Sequence, residues 1–260
     1  MREFEHNGVV LEYEDIGSGE PVVFLHGMGG SVGQIEKICA PPDGVRFVIP
    51  NQQGHGNSGA DWEDYSFDRL ADDVAALMDS LEIRAARFAG ISMGAAVSLN
   101  FAVRYPERVR ALLLIRSAWT DEPMAPGVVQ AYADLGRCLR NGGLEAFKQT
   151  PGWEIVREPS AYTRGAFTGP FDDPSAIRNW RKYLILPEQT PIDSLSELSA
   201  LTMPVEILAS HNDLCHPYTA GLRIASALPQ AVFTEIPDKD TDGEGHRQAV
   251  EDAVTRLAKA

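Results

Sequence analysis

Residues Gly90-Ile91-Ser92-Met93-Gly94 set a serine between two glycines, with an apolar stretch on each side. The stretch before them, residues 86–89, predicts a buried strand, and residues 95–105 predict a helix that is apolar nearly all round. A G-x-S-x-G turn between strand and helix holds its serine in a sparsely populated backbone conformation, at a cost of about 1–3 kcal/mol. We therefore expect Ser92 to be an exposed nucleophile at the carboxyl edge of a sheet.

Strand and helix signals alternate on both sides of this turn. Short apolar or alternating runs predict strands at residues 3–6, 9–14, 22–25, 46–49, 109–115, 205–209 and 232–236. Helical periodicity begins at Ser66 and returns at residues 218–228 and after His246. Asn7-Gly8 predicts a tight hairpin turn. The pattern predicts the α/β class, with a mostly parallel, doubly wound sheet and an N-terminal antiparallel hairpin.

Residues 117–202 break the alternation, because they contain helical fragments, prolines, glycines and many aromatic rings but no strand signal. We interpret residues 1–116 and 203–260 as the α/β core and residues 117–202 as an inserted helical cap, or lid. Trp119 follows the strand ending at Ile115 by only four residues. It is therefore the ring expected to face Ser92 and contact substrate, and an aromatic lining predicts a preference for apolar acyl or alcohol groups.

The chain of 260 residues has 37 acidic and 23 basic side chains, a formal net charge of −14. This balance argues against nucleic acid or an anionic membrane as a partner. Its three cysteines are widely spaced, which indicates neither a disulfide framework nor a zinc site. No apolar run resembles a signal peptide or a membrane span, so a cytoplasmic protein acting on a small molecule is expected. No metal or cofactor is expected, and the oligomeric state is left open.

A serine nucleophile needs a base and an acid that orients the base. In the chain order Ser, Asp, His, the base belongs after the last strand, where His246 opens the final helix. Asp213, just after the strand at 205–209, is the expected acid, and Asp121 is its rival. The other histidines lie in the hairpin, in glycine-rich loops or on either side of Asp213: His6, His26, His55, His211 and His216.

The segment His26-Gly27-Met28-Gly29-Gly30 follows the strand at 22–25. Its glycines allow a turn that directs a backbone amide toward the nucleophile. We expect the amides of Met28 and Met93 to form an oxyanion hole, a pair of donors for the charge that develops on a carbonyl oxygen. His26 and Gly27 are expected to contact substrate.

Taken together, these motifs resemble the α/β-hydrolase superfamily over nearly the whole chain. The resemblance rests on the segments at 26–30, 54–58 and 90–94, on Asp213 with Pro217, and on Gly245-His246, all in family order. It is similar to the serine-nucleophile branch of esterases, lactonases and C–C bond hydrolases with a helical cap. Asn51 and Gln53 stand where that family usually carries Asp-x-Arg, which bears on the sub-family.

The resulting hypothesis is a cofactor-free serine hydrolase that cleaves small to medium esters, thioesters or lactones through an acyl-enzyme. The same triad also serves C–C bond hydrolases of ketone or diketone substrates and perhydrolases. A ligand-binding protein on this fold is the non-enzyme alternative, which the set Ser92, Asp213 and His246 disfavours. The cap carries nearly balanced charge on an acidic body, which permits an acid-bearing substrate, although solvated arginines on helix faces are the simpler explanation.

Overall fold

An eight-stranded sheet runs through the protein in a computed structural model that describes residues 1–260. Its strands lie in the order β1-β2-β4-β3-β5-β6-β7-β8. They are β1 (Arg2–His6), β2 (Val9–Gly17), β3 (Glu20–Leu25), β4 (Val45–Pro50), β5 (Ala86–Ile91), β6 (Val109–Ile115), β7 (Val205–Ala209) and β8 (Ala231–Glu235). The pairs β1–β2 and β2–β4 are antiparallel and all others are parallel, which confirms the predicted fold class.

The N-terminal hairpin turns at Asn7 and Gly8, whose φ angles are 50° and 79°. Two successive left-handed residues match the twist of the strands they join, so His6 pairs directly with Val9. Strand β2 then pairs with β4 along its other edge, with Tyr13 opposite Pro50. The hairpin is thereby joined to the parallel part of the sheet.

Helices cover both faces of the sheet. They are α1 (Val32–Glu36), α2 (Phe67–Ser80), α3 (Met93–Arg104), α4 (Pro126–Arg140), α5 (Gly143–Phe147), α6 (Pro151–Val156), α7 (Ala161–Thr168), α8 (Pro174–Arg178), α9 (Lys182–Ile185), α10 (Tyr218–Ala227) and α11 (Gly243–Leu257). Short 3₁₀ helices occupy Pro106–Arg108, Gly169–Asp172, Leu186–Glu188 and Leu195–Ala200. Successive side chains of β3 alternate between the two faces. Val23 packs with the α2 and α3 side, whereas Val22 packs with α1 and α11.

The helices α4 to α9 all lie between β6 and β7, within the cap segment 117–202. Their buried side chains, including Leu135 and Phe167, continue the apolar cluster that α2 and α3 form against the sheet. The Lys182 ammonium donates to the Gly54 carbonyl oxygen at 2.7 Å, which ties α9 to a loop at the sheet's carboxyl edge. The cap segment therefore shares its core with the body; its action as a lid stays a prediction.

None of the helices is both long enough and apolar enough to cross a bilayer.

Candidate active site

Ser92 lies at the N-cap of α3 with φ 54° and ψ −110°, a strained conformation for a residue with a Cβ. Its amide donates to the Ile115 carbonyl oxygen at 2.9 Å, which anchors the turn on β6. A Cβ on Gly90 would overlap the Gly94 carbonyl oxygen, and one on Gly94 would overlap the Leu25 carbonyl oxygen. The two glycines are therefore required by the close approach of strand and helix, and the half-buried Ser92 hydroxyl stands at the carboxyl edge.

A histidine and an aspartate from the loop after β7 meet this hydroxyl. His216 Nε2 lies 2.8 Å from Ser92 Oγ, and His216 Nδ1 lies 2.9 Å from Asp213 Oδ1. The amides of Cys215 and His216 also donate to Asp213 Oδ1, both at 3.2 Å. An ionised carboxylate only accepts, so Nδ1 carries the imidazole proton and Nε2 is left to accept the serine proton. The three residues form a hydrogen-bonded chain of the kind that activates a serine.

The structure corrects the expected place of His246, which forms no hydrogen bond with Ser92. Asp242 accepts the Gly245 amide at 2.8 Å and caps α11, so the helix begins at Gly243 and His246 lies inside its first turn. His246 Nδ1 donates to the Pro237 carbonyl oxygen at 2.8 Å. Burial lowers the pKa of His246 to about 4, so its imidazole is neutral. His216 occupies the position beside Ser92 that was expected for His246.

Arg116, the first residue after β6, is a site residue that sequence reasoning missed. It has φ 52°, and its side chain is only 3% exposed. Its Nε donates to Asp213 Oδ2 at 2.8 Å, Nη2 bonds the same oxygen, and Nη1 donates to the Tyr162 hydroxyl at 3.3 Å. A charged residue directly after five buried apolar residues at a strand's carboxyl end was the available signal. Arg116 therefore contacts both members of the pair, since its Nη2 also lies 3.1 Å from His216 Nδ1.

Burial, the mutual interaction of the two groups and the Arg116 guanidinium together set the charge state of the pair. Burial alone would raise the pKa of Asp213, but His216 and Arg116 outweigh it and hold that pKa well below its usual range. Burial lowers the pKa of His216, and Arg116 lowers it further against the opposing charge of Asp213. At neutral pH the pair is therefore an ionised carboxylate and a neutral imidazole, the state in which the imidazole can accept a proton.

The loop after β3 lies against Ser92. A Cβ on Gly27 would lie 3.4 Å from Ser92 Cβ, which shows how close the two backbones are. The Met28 amide donates to no acceptor in the protein, whereas the amides of Gly27 before it and of Gly29 and Gly30 after it are bonded. Met93 is the first residue of α3, where an amide has no acceptor within the helix. The expected pair of donors is available, and its oxyanion role stays a prediction.

His26 has no nitrogen left for a substrate, contrary to the sequence-based expectation. It is fully buried, its Nε2 accepts from the Gln52 amide at 3.1 Å, and its Nδ1 donates to the Gly27 carbonyl oxygen at 2.9 Å. A second buried histidine, His55, accepts the Gly29 amide at 3.1 Å through Nε2. Both rings bind backbone, so they hold the loop that carries Met28 rather than the ligand.

Asn51 and Gln53 hold the neighbouring loop without a charge pair between them. The Asn51 side chain accepts the Val32 amide at 2.9 Å and donates to Glu12 Oε2 at 3.0 Å. Gln53 Nε2 donates to Asp73 Oδ2 at 2.6 Å. Where the usual pattern has two charged side chains, two amide side chains therefore link α1, β2 and α2.

Trp119 lies in the core, and this corrects the expectation that it faces Ser92. The side chain is 1% exposed, its Nε1 donates to the Leu186 carbonyl oxygen at 3.1 Å, and its ring meets Phe67 edge-on at 5.3 Å between centroids. Trp119 thus joins α2 to the cap segment. Proximity to a strand end in sequence did not determine which way the ring turned.

Trp119→Ala is accordingly expected to lower the free energy of unfolding by about 3–5 kcal/mol, because it leaves a large cavity in a close-packed core. Chemical denaturation measures the loss, with Trp119→Phe as the matched control that keeps most of the apolar volume. The ratio of kcat/KM values across an acyl-length series should stay that of the wild type. A changed ratio at unchanged stability would place the ring on the substrate pocket.

No group of three or more His, Cys, Asp or Glu side chains could hold a metal ion, and all three cysteines are free.

The family described as the alpha/beta hydrolase fold matches residues 20–135, from β3 into α4. The AB hydrolase superfamily protein YisY of Bacillus subtilis is 27% identical over 239 residues, 86% of this chain and 85% of that protein. The solved α/β hydrolase MGS-M2 from a deep-sea metagenome library superposes with a TM-score of 0.81 at 16% identity, covering 100% and 98% of the two chains. The enol-lactonase of Burkholderia xenovorans superposes at 0.73 with 20% identity over both whole chains. Together with the order of the strands, these matches show that the chain has the α/β hydrolase fold and that its residues 20–135 match that family.

Proposed function

We propose that this protein is a serine hydrolase of small to medium carboxylic esters, thioesters or lactones, with Ser92 as nucleophile, His216 as base and Asp213 as the orienting acid. The observation that carries the proposal is the hydrogen-bonded chain from Ser92 Oγ through His216 to Asp213, at 2.8 and 2.9 Å. The solved enol-lactonase with the same fold supports an acyl-transfer reaction.

In the proposed reaction, Ser92 Oγ attacks the substrate carbonyl carbon while its proton passes to His216 Nε2. The tetrahedral intermediate carries its negative charge on the former carbonyl oxygen. It collapses as the imidazolium returns the proton to the leaving alcohol, thiol or ring oxygen, leaving an acyl group on Ser92. Water then loses a proton to His216, attacks the acyl carbon and releases the carboxylic acid together with the restored Ser92 hydroxyl. The ionised Asp213 stabilises the imidazolium in both halves.

The amides of Met28 and Met93 are proposed to bind the negatively charged oxygen of both intermediates. Preorganised donors of this kind contribute about 10²–10³-fold each in related acyl transfers. The histidine contacts to the Met28 loop support this role, because they fix the loop before substrate arrives. The cap segment is proposed to limit the access of water and of bulky substrates.

A fluorophosphonate probe tests the nucleophile directly. We expect one covalent adduct per chain, mapped to Ser92 by peptide mass spectrometry, and loss of both labelling and turnover in Ser92→Ala. The loss in kcat/KM should be on the order of 10³-fold or more, because the triad acts as a unit. Ser98→Ala is a matched control, since Ser98 is buried in α3 and bonds the Gly94 carbonyl oxygen at 2.7 Å. An adduct on Ser58 or Cys215 would refute the assignment.

A further inference from the structure

Next to the triad lies a cavity of about 540 Å³ whose lining is cationic. Arg116, Lys239, Lys37 and Arg247 all line it, and no aspartate or glutamate does. This is the opposite of the chain as a whole, whose formal net charge is −14. A cleft lined by charge of one sign concentrates ligands of the other sign. The residues that line the cavity therefore favour the binding of an anion.

Two of the four cations have no acidic partner. Arg247 pairs with Glu244 at 2.7 Å and Glu251 at 2.8 Å, and Arg116 pairs with Asp213. Lys37 and Lys239 take part in none of the salt bridges of the molecule. Lys37 and Lys239 are thus the wall cations outside any ion pair, while the neighbouring Asp240 accepts the Tyr162 amide at 2.9 Å.

Tyr162, in the cap segment, contacts two of these cations, and its pKa shows their effect. The Lys239 ammonium lies 4.0 Å from the centroid of the Tyr162 ring, and Arg116 bonds the Tyr162 hydroxyl. Burial would raise the pKa of this phenol, but Arg116 and Lys239 outweigh burial, so the pKa falls below its ordinary value. Three elements far apart in sequence thus converge on one electropositive spot.

The cavity is lined by direct neighbours of the reacting groups, although Ser92, His216 and Asp213 do not line it themselves. Its lining includes Ile91, the residue before Ser92, and Gly29, the residue after the proposed donor Met28. Arg116 touches both the cavity and Asp213. A group bound here would therefore lie close to the carbonyl that Ser92 attacks.

We propose that the preferred substrate of this site carries a carboxylate, which binds in the cavity on Lys239 and Lys37. This deepens the proposed hydrolase function and rests on it for the reaction, though not for the binding. The ligand class is an ester or lactone of a dicarboxylic acid, whose free carboxylate sits in the cavity while the ester carbonyl faces Ser92.

The substrate test compares two matched esters. One is the mono-para-nitrophenyl ester of glutaric acid, and the other is the isosteric ester with an isopropyl group in place of the carboxylate. We expect the wild type to favour the charged ester in kcat/KM. The ratio of the two values should fall by about tenfold or more in the Lys37→Met and Lys239→Met double variant, as loss of charge-assisted contacts predicts. Lys259→Met, which removes one exposed C-terminal charge, should leave the ratio unchanged.

A binding test does not depend on turnover. Glutarate is titrated into the Ser92→Ala protein by calorimetry, with glutaramide as the uncharged control and inorganic phosphate as the alternative anion. We expect glutarate to bind, glutaramide not to bind, and the affinity for glutarate to fall with ionic strength and in the lysine double variant.

The two tests separate failure of the function from failure of this inference. Binding of glutarate without hydrolysis of either ester would keep the anion site and overturn the hydrolase assignment. Hydrolysis of both esters at equal kcat/KM with no binding of glutarate would overturn the anion site alone. Binding of phosphate but not of glutarate would also overturn it, since the proposed ligand is a carboxylate.

Discussion

His216→Ala is expected to lower kcat/KM for ester hydrolysis on the order of 10³-fold or more, because no other side chain accepts the Ser92 proton in this structure. The fluorophosphonate probe should label Ser92 slowly in this variant, since its attack needs the same base. Added imidazole should restore part of both rates, which a purely structural loss would not allow. Steady-state kinetics and the labelling time course measure the two effects.

The comparison with His246→Ala decides between the two histidines. His246 bonds the Pro237 carbonyl oxygen and not Ser92, so its loss should act mainly on stability and cost far less activity. His211→Ala is the matched control on the loop that carries His216, because His211 is exposed and stacks on Tyr218 at 4.0 Å between centroids. A larger loss from His246→Ala than from His216→Ala would return the role of base to His246.

Asp213→Asn is expected to lower kcat on the order of 10⁴-fold with little change in KM, because an amide favours the wrong tautomer of His216 and does not stabilise its imidazolium. Asp121→Asn is the matched control and should be mild, since Asp121 pairs with Arg223 at 2.8 Å and accepts the Leu195 amide. Equal losses from the two variants, or the reverse ranking, would place the acid after β6.

Arg116 separates the catalytic part of this effect from the structural part. Asp213→Asn leaves a nearly buried guanidinium without its counter-charge, so the free energy of unfolding should also fall. Adding Arg116→Met to Asp213→Asn should restore part of the free energy of unfolding, because the buried guanidinium that lacks a counter-charge is removed. It should recover no activity. Recovery of activity in the double variant would mean that Asp213 serves only to neutralise Arg116.

The features that follow local rules were predictable from the chain. The G-x-S-x-G pattern of residues 90–94 predicts a strained turn, because only glycines permit so close an approach of strand to helix. The pair Asn7-Gly8 predicts a hairpin turn, because both residues readily adopt the positive φ angles that such a turn requires. Alternating strand and helix signals predicted a mostly parallel sheet, and Asp213 follows a strand whose carboxyl end must reach the same edge as Ser92. Periodicity and turn chemistry act over a few residues, so sequence alone suffices for them.

The partners of Ser92 were decided by tertiary structure. The order of motifs in the chain predicted His246 as the partner of Ser92. However, Asp242 caps α11, so that His246 lies in the first turn of the helix and donates to the Pro237 carbonyl oxygen. The loop after β7 instead places His216 beside Ser92. Arg116 became a site residue for the same reason. Trp119 packs in the core between α2 and the cap segment, because its ring contacts Phe67 and its Nε1 donates to the Leu186 carbonyl oxygen.

The cationic cavity combines α1, the end of β6, the cap segment and the loop before α11. Its lysines are more than two hundred residues apart in the chain, and no local pattern links them. Spacing along the chain determined which elements form and which chemical groups they carry. Packing determined which of those groups meet, because a side chain's neighbours depend on how several loops close together over one edge of the sheet.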